Sequence, residues 1–258
     1  MIDFHSHLIP AVDDGAGDLE QARDALMEMW DQGVRTVITT PHLAGALLAR
    51  PGPLAEWHAA VEPAWESLRE MAAAELPELR LERGSEVALD APAPDVSDPR
   101  VRLAGTNFVL VEFPHMGVPP NSENAIFELR MKGWTPVIAH PERYSGVDPE
   151  LRVVESWMRV GGALQVNCAS LLGRYGASAE RTAWKLLERG WASYLSSDYH
   201  ARGRCAISEA RETLIARGGG EQARMLMATN PERLLNDQPP LEVAPLTKKR
   251  AAWWKPWS

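Results

Sequence analysis

The sequence has 258 residues, 45% hydrophobic and 24% charged. That is an ordinary globular composition, able to bury a core without disulfides or a structural metal. Its 27 basic against 35 acidic side chains give a net charge of −8, which argues against a broad grip on nucleic acid while leaving room for a few arginines in a pocket. No apolar run approaches the ~18 residues of a membrane span, and the opening MIDFHSHL reads as no secretory signal. Two cysteines, Cys168 and Cys205, make no disulfide framework, so a reducing, cytoplasmic setting is expected.

Residues 2–5 alternate apolar and polar and form a first predicted strand. An amphipathic helix is expected over 19–32, with Asp18 at its N-cap and Gly33 just beyond its end. The second strand, VRTVITT at 34–40, is β-branched and stops at Pro41. Residues 44–53 are rich in Gly, Ala and Pro and read as a loop free to move over a site; a helix follows over 54–75. A weaker third strand covers 79–85, and APAPDVSDP at 91–99 is a loop. FVLVEF at 108–113 is the fourth strand, followed by a helix over 123–132 and Gly133. PVIAH at 136–140 is the fifth, with a helix over 150–160 and Gly161 after it. ALQVN at 163–167 is the sixth; its helix, 179–189, has Ser178 as predicted N-cap and Gly190 past its end. ASYLS at 192–196 and a helix over 207–217 complete the series.

Strand and helix alternating seven times predict an α/β fold, a parallel sheet covered by helices. It is either a closed barrel or an open doubly wound sheet, and no G-x-G-x-x-G follows the first strand to support a dinucleotide-binding version. One domain is expected over 1–235. From 236 to 258 the chain turns proline-rich, then basic and aromatic, with Trp253, Trp254 and Trp257 among Lys248, Lys249, Arg250 and Lys255. It reads as a tail outside the fold.

Polar residues gather at the strand ends, where a parallel barrel keeps its active site. The first strand delivers His5 and His7, then Asp13 and Asp14. The later strands deliver His42, Glu86, Glu112, His140, Asn167, and finally Asp198 with His200. Five of the seven histidines stand at these points; His58, inside a predicted helix, reads as structural, and His115, in FPHMG, stands just past Glu112. Imidazole and carboxylate are good ligands for zinc, iron and manganese. Alternate residues of an extended segment point the same way, so His5 and His7 can share an ion, as can Asp198 and His200. More ligands gather than one ion can use, so a cluster of two or three is expected, with Glu86 able to bridge. Trp57, Trp65, Trp157 and Trp184 fall in predicted helices and read as packing residues.

HSHLIPAVDDGA, TTPH, GSE, LVEFP, IAHPER, SSDYH and NPERLL occur in that order. Together they resemble the polymerase-and-histidinol-phosphatase (PHP) superfamily, and within it the bacterial protein-tyrosine phosphatases of capsule and exopolysaccharide synthesis, the CpsB/YwqE type. The resemblance implies a distorted seven-stranded β/α barrel, TIM-like, around three divalent ions, manganese first and iron, zinc or magnesium as alternatives. It implies that His5, His7, Glu86 and Asp198 hold one ion, Glu86, Glu112 and His140 a second, and Asp14, His42 and His200 a third. Arg143 of HPER would face phosphate, assisted by Arg204 or Arg202. The implied partner is an autophosphorylated bacterial tyrosine kinase.

Such a cluster suits phosphomonoester hydrolysis, because it activates water and neutralises phosphoryl oxygens around a loose transition state. A phenolate leaving group, pKa ~10, needs little protonation; Asp14 or His200 would supply an acid where one is needed. Three other readings fit less well: a phosphatase of a small ester such as histidinol phosphate or a sugar phosphate, a nuclease or proofreading activity, which the net charge disfavours, and a non-catalytic metal-binding regulatory subunit. Cys168 and Arg174 also match C-x5-R, the spacing of cysteine-dependent tyrosine phosphatases. The intervening Ala-Ser-Leu-Leu-Gly is poorly suited to cradle phosphate with backbone N–H groups. The tail could touch an anionic membrane or a partner, and any of the tryptophans could sit in a homo-oligomer interface.

Overall fold

A computed structural model describes residues 1–91 and 94–246. In chain order the elements are β1 (Ile2–Asp3), α1 (Leu19–Asp31), β2 (Thr36–Thr39), β3 (His42–Ala44), α2 (Gly45–Leu48), α3 (Pro51–Glu75), β4 (Arg80–Arg83), β5 (Glu86–Ala88), β6 (Phe108–Glu112) and α4 (Ser122–Met131). Then follow β7 (Thr135–Ala139), α5 (Arg152–Arg159), β8 (Ala163–Asn167), α6 (Ala177–Glu188), β9 (Tyr194–Ser196), α7 (Ile207–Ala216), α8 (Gly220–Arg224) and α9 (Asn230–Leu235). All seven predicted strands are present, and two short strands, β3 and β5, lie just beyond the predicted ends of the second and third.

The fold is α/β, and its ladders are parallel. They divide into a three-stranded sheet, β1-β2-β4, and a six-stranded sheet, β3-β5-β6-β7-β8-β9. The second predicted strand ends at Pro41, which has no N–H to give a ladder, and β3 follows it in the other sheet. The third ends at Gly84–Ser85, and β5 follows it in the other sheet. Across these breaks Thr40 N donates to Ser6 O at 2.7 Å, Gly84 N to Thr39 O at 2.9 Å and Glu86 N to Pro41 O at 3.0 Å. On the other side β1 meets β9: Asp198 N donates to His5 O at 2.7 Å and His7 N to Tyr199 O at 2.8 Å. The buried Asp3 carboxylate accepts from Ser196 Oγ and Ser197 N, both at 2.7 Å.

Strand period two explains where the site forms. Phe4, Ile38, Phe108, Leu110, Val137, Ala139, Ala163 and Tyr194 share a small apolar cluster, separate from the larger core under the helices. Moving two residues at a time from that cluster toward the C-terminal strand ends, the series runs Ile38, Thr40, His42; Leu110, Glu112; Ala163, Gln165, Asn167; Tyr194, Ser196, Asp198. One face is therefore apolar at its base and chemical at its top.

Helix chemistry follows the sequence with three corrections. Asp18 caps α1, accepting from Gln21 N at 2.8 Å, and Ala22, Ala25, Leu26 and Met29 form its buried stripe. Gly33, Gly133, Gly161 and Gly190 all take positive φ after their helices. The segment 44–53, expected to be a loop, is largely helical: α2 occupies part of it and α3 begins at Pro51, a residue suited to a first turn. Ser178 lies inside α6 and caps nothing, because Gly176, at φ 89°, turns the chain two residues earlier. Residues 236–246, assigned by composition to the tail, run along the fold, with Val243 buried and Leu246 N donating to Leu187 O at 3.0 Å. The Trp- and Lys-rich stretch 247–258 lies outside the described residues.

Candidate metal centre

The strand ends deliver nine imidazole and carboxylate side chains to one place. His140 and Asp198 reach it from left-handed backbone, φ 34° and 51°, an uncommon conformation for side chains other than glycine and one that clusters at functional sites. Glu86 stands at the middle, fully buried. Its Oε2 lies 3.2 Å from His5 Nε2, 3.4 Å from His7 Nε2 and 3.2 Å from His42 Nδ1, while Oε1 lies 3.0 Å from His140 Nε2. Asp198 Oδ1 is 3.3 Å from His5 Nε2 and 3.4 Å from His7 Nε2. Glu112 Oε1 is 3.1 Å from His42 Nδ1. Asp14 Oδ1 stands 3.3 Å from His200 Nε2 and 3.5 Å from His42 Nε2.

The outer nitrogens decide the tautomers. His5 Nδ1 faces Gln165 Oε1 at 2.9 Å, His7 Nδ1 faces Asp13 Oδ2 at 2.7 Å, and His200 Nδ1 faces the Asp198 carbonyl at 2.9 Å. Each partner is an acceptor, so each Nδ1 keeps a hydrogen and each Nε2 faces inward, where a cation that displaces its proton finds the lone pair, the arrangement metal-ligating histidines use. Gln165 is itself oriented, since its Nε2 donates to Val166 O at 2.9 Å. His5 Nε2 and His7 Nε2 then oppose each other at 3.3 Å. Glu86 Oε2, though buried, accepts no hydrogen bond. Lone pairs and carboxylate oxygens aimed at shared space fit divalent cations, and three sets converge: His5, His7, Glu86 and Asp198; His42, Glu86 and Glu112; His7, Asp14, His42 and His200.

Charges in the cluster respond to this crowding. Burial works against a positive His5, yet Glu86 and Asp198 beside it hold its pKa up to about 9. Burial likewise opposes the charged forms of Glu86 and Asp198, but the surrounding imidazoles pull Glu86 well below the carboxylate range and Asp198 down as well. Asp13, despite burial, is drawn to about 2 by His7. His200 moves the other way, lowered by burial and by the His7 charge.

Beside Asp14, Asp198 and His200 opens a cavity of about 370 Å³, also lined by Arg174, Tyr175, Arg202 and Arg204. Arg143 donates from Nη1 to Asp198 Oδ2, and Arg202 donates to the Asp14 carbonyl. The nine predicted ligands, Arg143, Arg202 and Arg204 thus all stand at or beside this site. The sequence reading missed Gln165, the hydrogen-bond partner of His5, although a glutamine inside an apolar buried strand was a signal. It also missed Tyr175.

The remaining candidates lie elsewhere. His58 is buried in α3 with Nε2 3.2 Å from Asp98 Oδ2. His115 is exposed and lines a separate cavity with Leu89 and Asp90. Cys168 is buried, and burial raises its thiol well above the ordinary range. Arg174 turns instead to Glu209 and the Arg204 carbonyl, so the C-x5-R pair forms no phosphate loop. Trp157 and Trp184 are buried, donating to Ser122 Oγ and Leu171 O. Among the described residues no helix is long and apolar enough to cross a membrane.

Comparison with known proteins gives a consistent picture. The profile of the family described as "Capsular polysaccharide synthesis, CpsB/CapC" matches residues 1–236. The tyrosine-protein phosphatase YwqE of Bacillus subtilis is 30% identical over 257 residues, spanning 97% of each chain. The tyrosine-protein phosphatase CpsB of Streptococcus pneumoniae is 26% identical over 247 residues, 92% of this chain and 99% of its own. A crystal structure from work on these two, described as metal-dependent tyrosine phosphatases, aligns with TM-score 0.80 at 30% identity, over 97% of this chain and 100% of that one. The phosphotriesterase of Mycobacterium tuberculosis, 14% identical with TM-score 0.53 over 87% of this chain, shares the fold alone. The match along almost the whole chain, together with the assembled histidine and carboxylate cluster, shows that the chain belongs to the CpsB/CapC family of capsular polysaccharide synthesis.

Proposed function

We propose that the protein is a metal-dependent protein-tyrosine phosphatase whose substrate is an autophosphorylated bacterial tyrosine kinase of polysaccharide synthesis, acting in the cytoplasm. The observation that carries this reading is the convergence of inward Nε2 lone pairs and carboxylate oxygens beside an arginine-lined cavity. Under the same reading the two sheets are one distorted seven-stranded β/α barrel, supported by the hydrogen bonds that link Ser6 to Thr40, His7 to Tyr199 and Asp198 to His5.

His5, His7, Glu86 and Asp198 would hold one ion and Asp14, His42 and His200 another. A third would lie on Glu86 and Glu112, with His140 near the second Glu86 oxygen and His42 close enough to share. Nitrogen and oxygen donors without thiolate suit manganese, with iron, zinc or magnesium able to substitute. Bound there, such ions supply Lewis acidity, which activates water and neutralises the phosphoryl oxygens.

The chain's own residues do the rest. Arg143 gives one of its five N–H donors to Asp198 and has others for two phosphoryl oxygens in a planar contact. Arg202 and Arg204 line the cavity from the opposite loop and add positive charge. As water oxygen bonds to phosphorus and the P–O(aryl) bond breaks, the phenolic oxygen leaves with the electron pair. The proton shed by the water ends on that oxygen, and Asp14 at the cavity rim, with His200 Nε2 3.3 Å from its Oδ1, is placed to relay it.

The test is hydrolysis of a phosphotyrosine peptide by the purified protein, before and after chelation and with manganese restored, beside His42→Ala and Cys168→Ser. Activity should vanish with chelator, return with manganese, fall at least ~100-fold in His42→Ala and stay unchanged in Cys168→Ser. Activity indifferent to chelator and lost in Cys168→Ser would overturn the reading.

A further inference from the structure

The segment between β8 and α6 has no role in the assignment above, yet it walls the cavity. Gly173 and Gly176, at φ 71° and 89°, flank Arg174 and Tyr175. Gly173 is left-handed and Gly176 extended at positive φ, both conformations that favour glycine, and they flank the pair at the rim. Arg174 faces its neighbours, donating from Nη1 to the Arg204 carbonyl at 2.8 Å and pairing with Glu209. It thereby ties this segment to the loop that carries Arg202 and Arg204.

Tyr175 does something different. Its ring lies under the Arg143 guanidinium, with Cζ 4.1 Å from the ring centroid, while the same guanidinium reaches Asp198. The ring holds Arg143 on one side and the carboxylate holds it on another. Tyr175 nevertheless remains 41% exposed, unusual for a large aromatic packed on a neighbour, and it lines the cavity. An aromatic that stacks on the phosphate-facing arginine and opens to the cavity presents an apolar surface one side chain away from the phosphate position.

Resting on the tyrosine-phosphatase reading, we propose that Tyr175 is a specificity-determining residue: it positions Arg143 by stacking and forms the wall that receives the aryl ring of phosphotyrosine. Aromatic rings pack edge-to-face or offset against one another, so an aryl phosphate gains a contact that inorganic phosphate or an alkyl phosphate lacks.

The experiment uses the full-length, manganese-loaded protein. Calorimetry measures binding of a peptide carrying a non-hydrolysable phosphonate analogue of phosphotyrosine, with inorganic phosphate as the ring-free comparison. Steady-state kinetics on the phosphotyrosine peptide run in parallel. Tyr175→Ala should weaken the phosphonate peptide about tenfold and raise KM by a similar factor, with a smaller fall in kcat, while inorganic phosphate weakens only about threefold from the loosened Arg143. Tyr175→Phe, which keeps the ring, should recover most of the loss, and Tyr175→Leu, which keeps bulk alone, should fall between. Wild-type binding by Tyr175→Ala, or equal weakening of phosphate and phosphonate peptide, overturns the proposal while leaving the phosphatase reading intact. A wild-type protein that hydrolyses no phosphotyrosine overturns both.

Discussion

Asp98 shows how a single carboxylate away from the site supports the fold. Arg100 donates to it from Nε, Nη2 and its own backbone N–H, and His58 Nε2 lies 3.2 Å away. The Arg100 hydrogen bonds hold its pKa down to about 2, against an ordinary 3.8. A depressed carboxylate stabilises the folded state fully above its unfolded value, and that contribution is lost as pH falls through the folded value. Asp98→Asn should therefore lower stability at pH 7 by no more than about 2 kcal/mol, since the group is partly exposed and screened. Urea unfolding of metal-free wild type and variant should give a constant gap from pH 7 to about 4 that narrows below it. A gap that widens on acidification would contradict the assignment. The residues of the cluster were legible at this scale, because His5, His7, Glu86 and Asp198 stand at or just past the ends of predicted strands. Gln165 was not, because its bond to His5 spans 160 residues.

Between β1 and α1 the loop around Asp13 and Asp14 is pressed against the first strand end. Gly15 sits so close that a Cβ there would lie 2.0 Å from the His7 carbonyl oxygen and 2.5 Å from His7 Cβ. Gly15 N also donates to Asp13 Oδ1, and Ala16 N to His7 O. Gly15→Ala must push this loop off the strand, carrying Asp13 away from His7 Nδ1 and Asp14 away from His200. The expected outcome is a folded protein with reduced metal content and at least tenfold lower kcat/KM, checked by elemental analysis and kinetics together. Full metal content with wild-type activity would show that the loop yields freely. Element types were legible here from β-branched runs and glycine stops. The short α2 and the first turn of α3 at Pro51 were not, since the Gly-, Ala- and Pro-rich stretch 44–53 has no periodic stripe.

At the scale of the whole molecule, the −8 net charge and the arginine-lined cavity do different work. Acidic residues dominate the chain as a whole, while Arg143, Arg174, Arg202 and Arg204 gather where a phosphate would enter. The segment 236–246 belongs to the same packing. Leu241 N donates to Asn230 Oδ1 and its carbonyl accepts from Asn230 Nδ2; Gln222 donates to the Ala244 carbonyl; Val243 is buried. Removing residues 239–246 should forfeit the Val243 burial and these bonds, about 2–3 kcal/mol in all. Measured against a chain ending at Leu246, a chain ending at Gln238 should melt roughly 5–10 °C lower. Equal melting temperatures would mean that the segment adds no stability.

What the sequence determined by itself was the alternation of strand and helix, the helix stops at Gly33, Gly133, Gly161 and Gly190, and the chemistry of the strand ends. These are local properties: backbone period and turn geometry act over a few residues, so they can be read in order along the chain. Only the tertiary structure decided that His42 converges with Glu86 and Glu112, that Gln165 and Asp13 fix the tautomers of His5 and His7, and that Tyr175 reaches under Arg143. Those contacts depend on sheet register and on crossings between distant strands, which set distances no stretch of sequence contains.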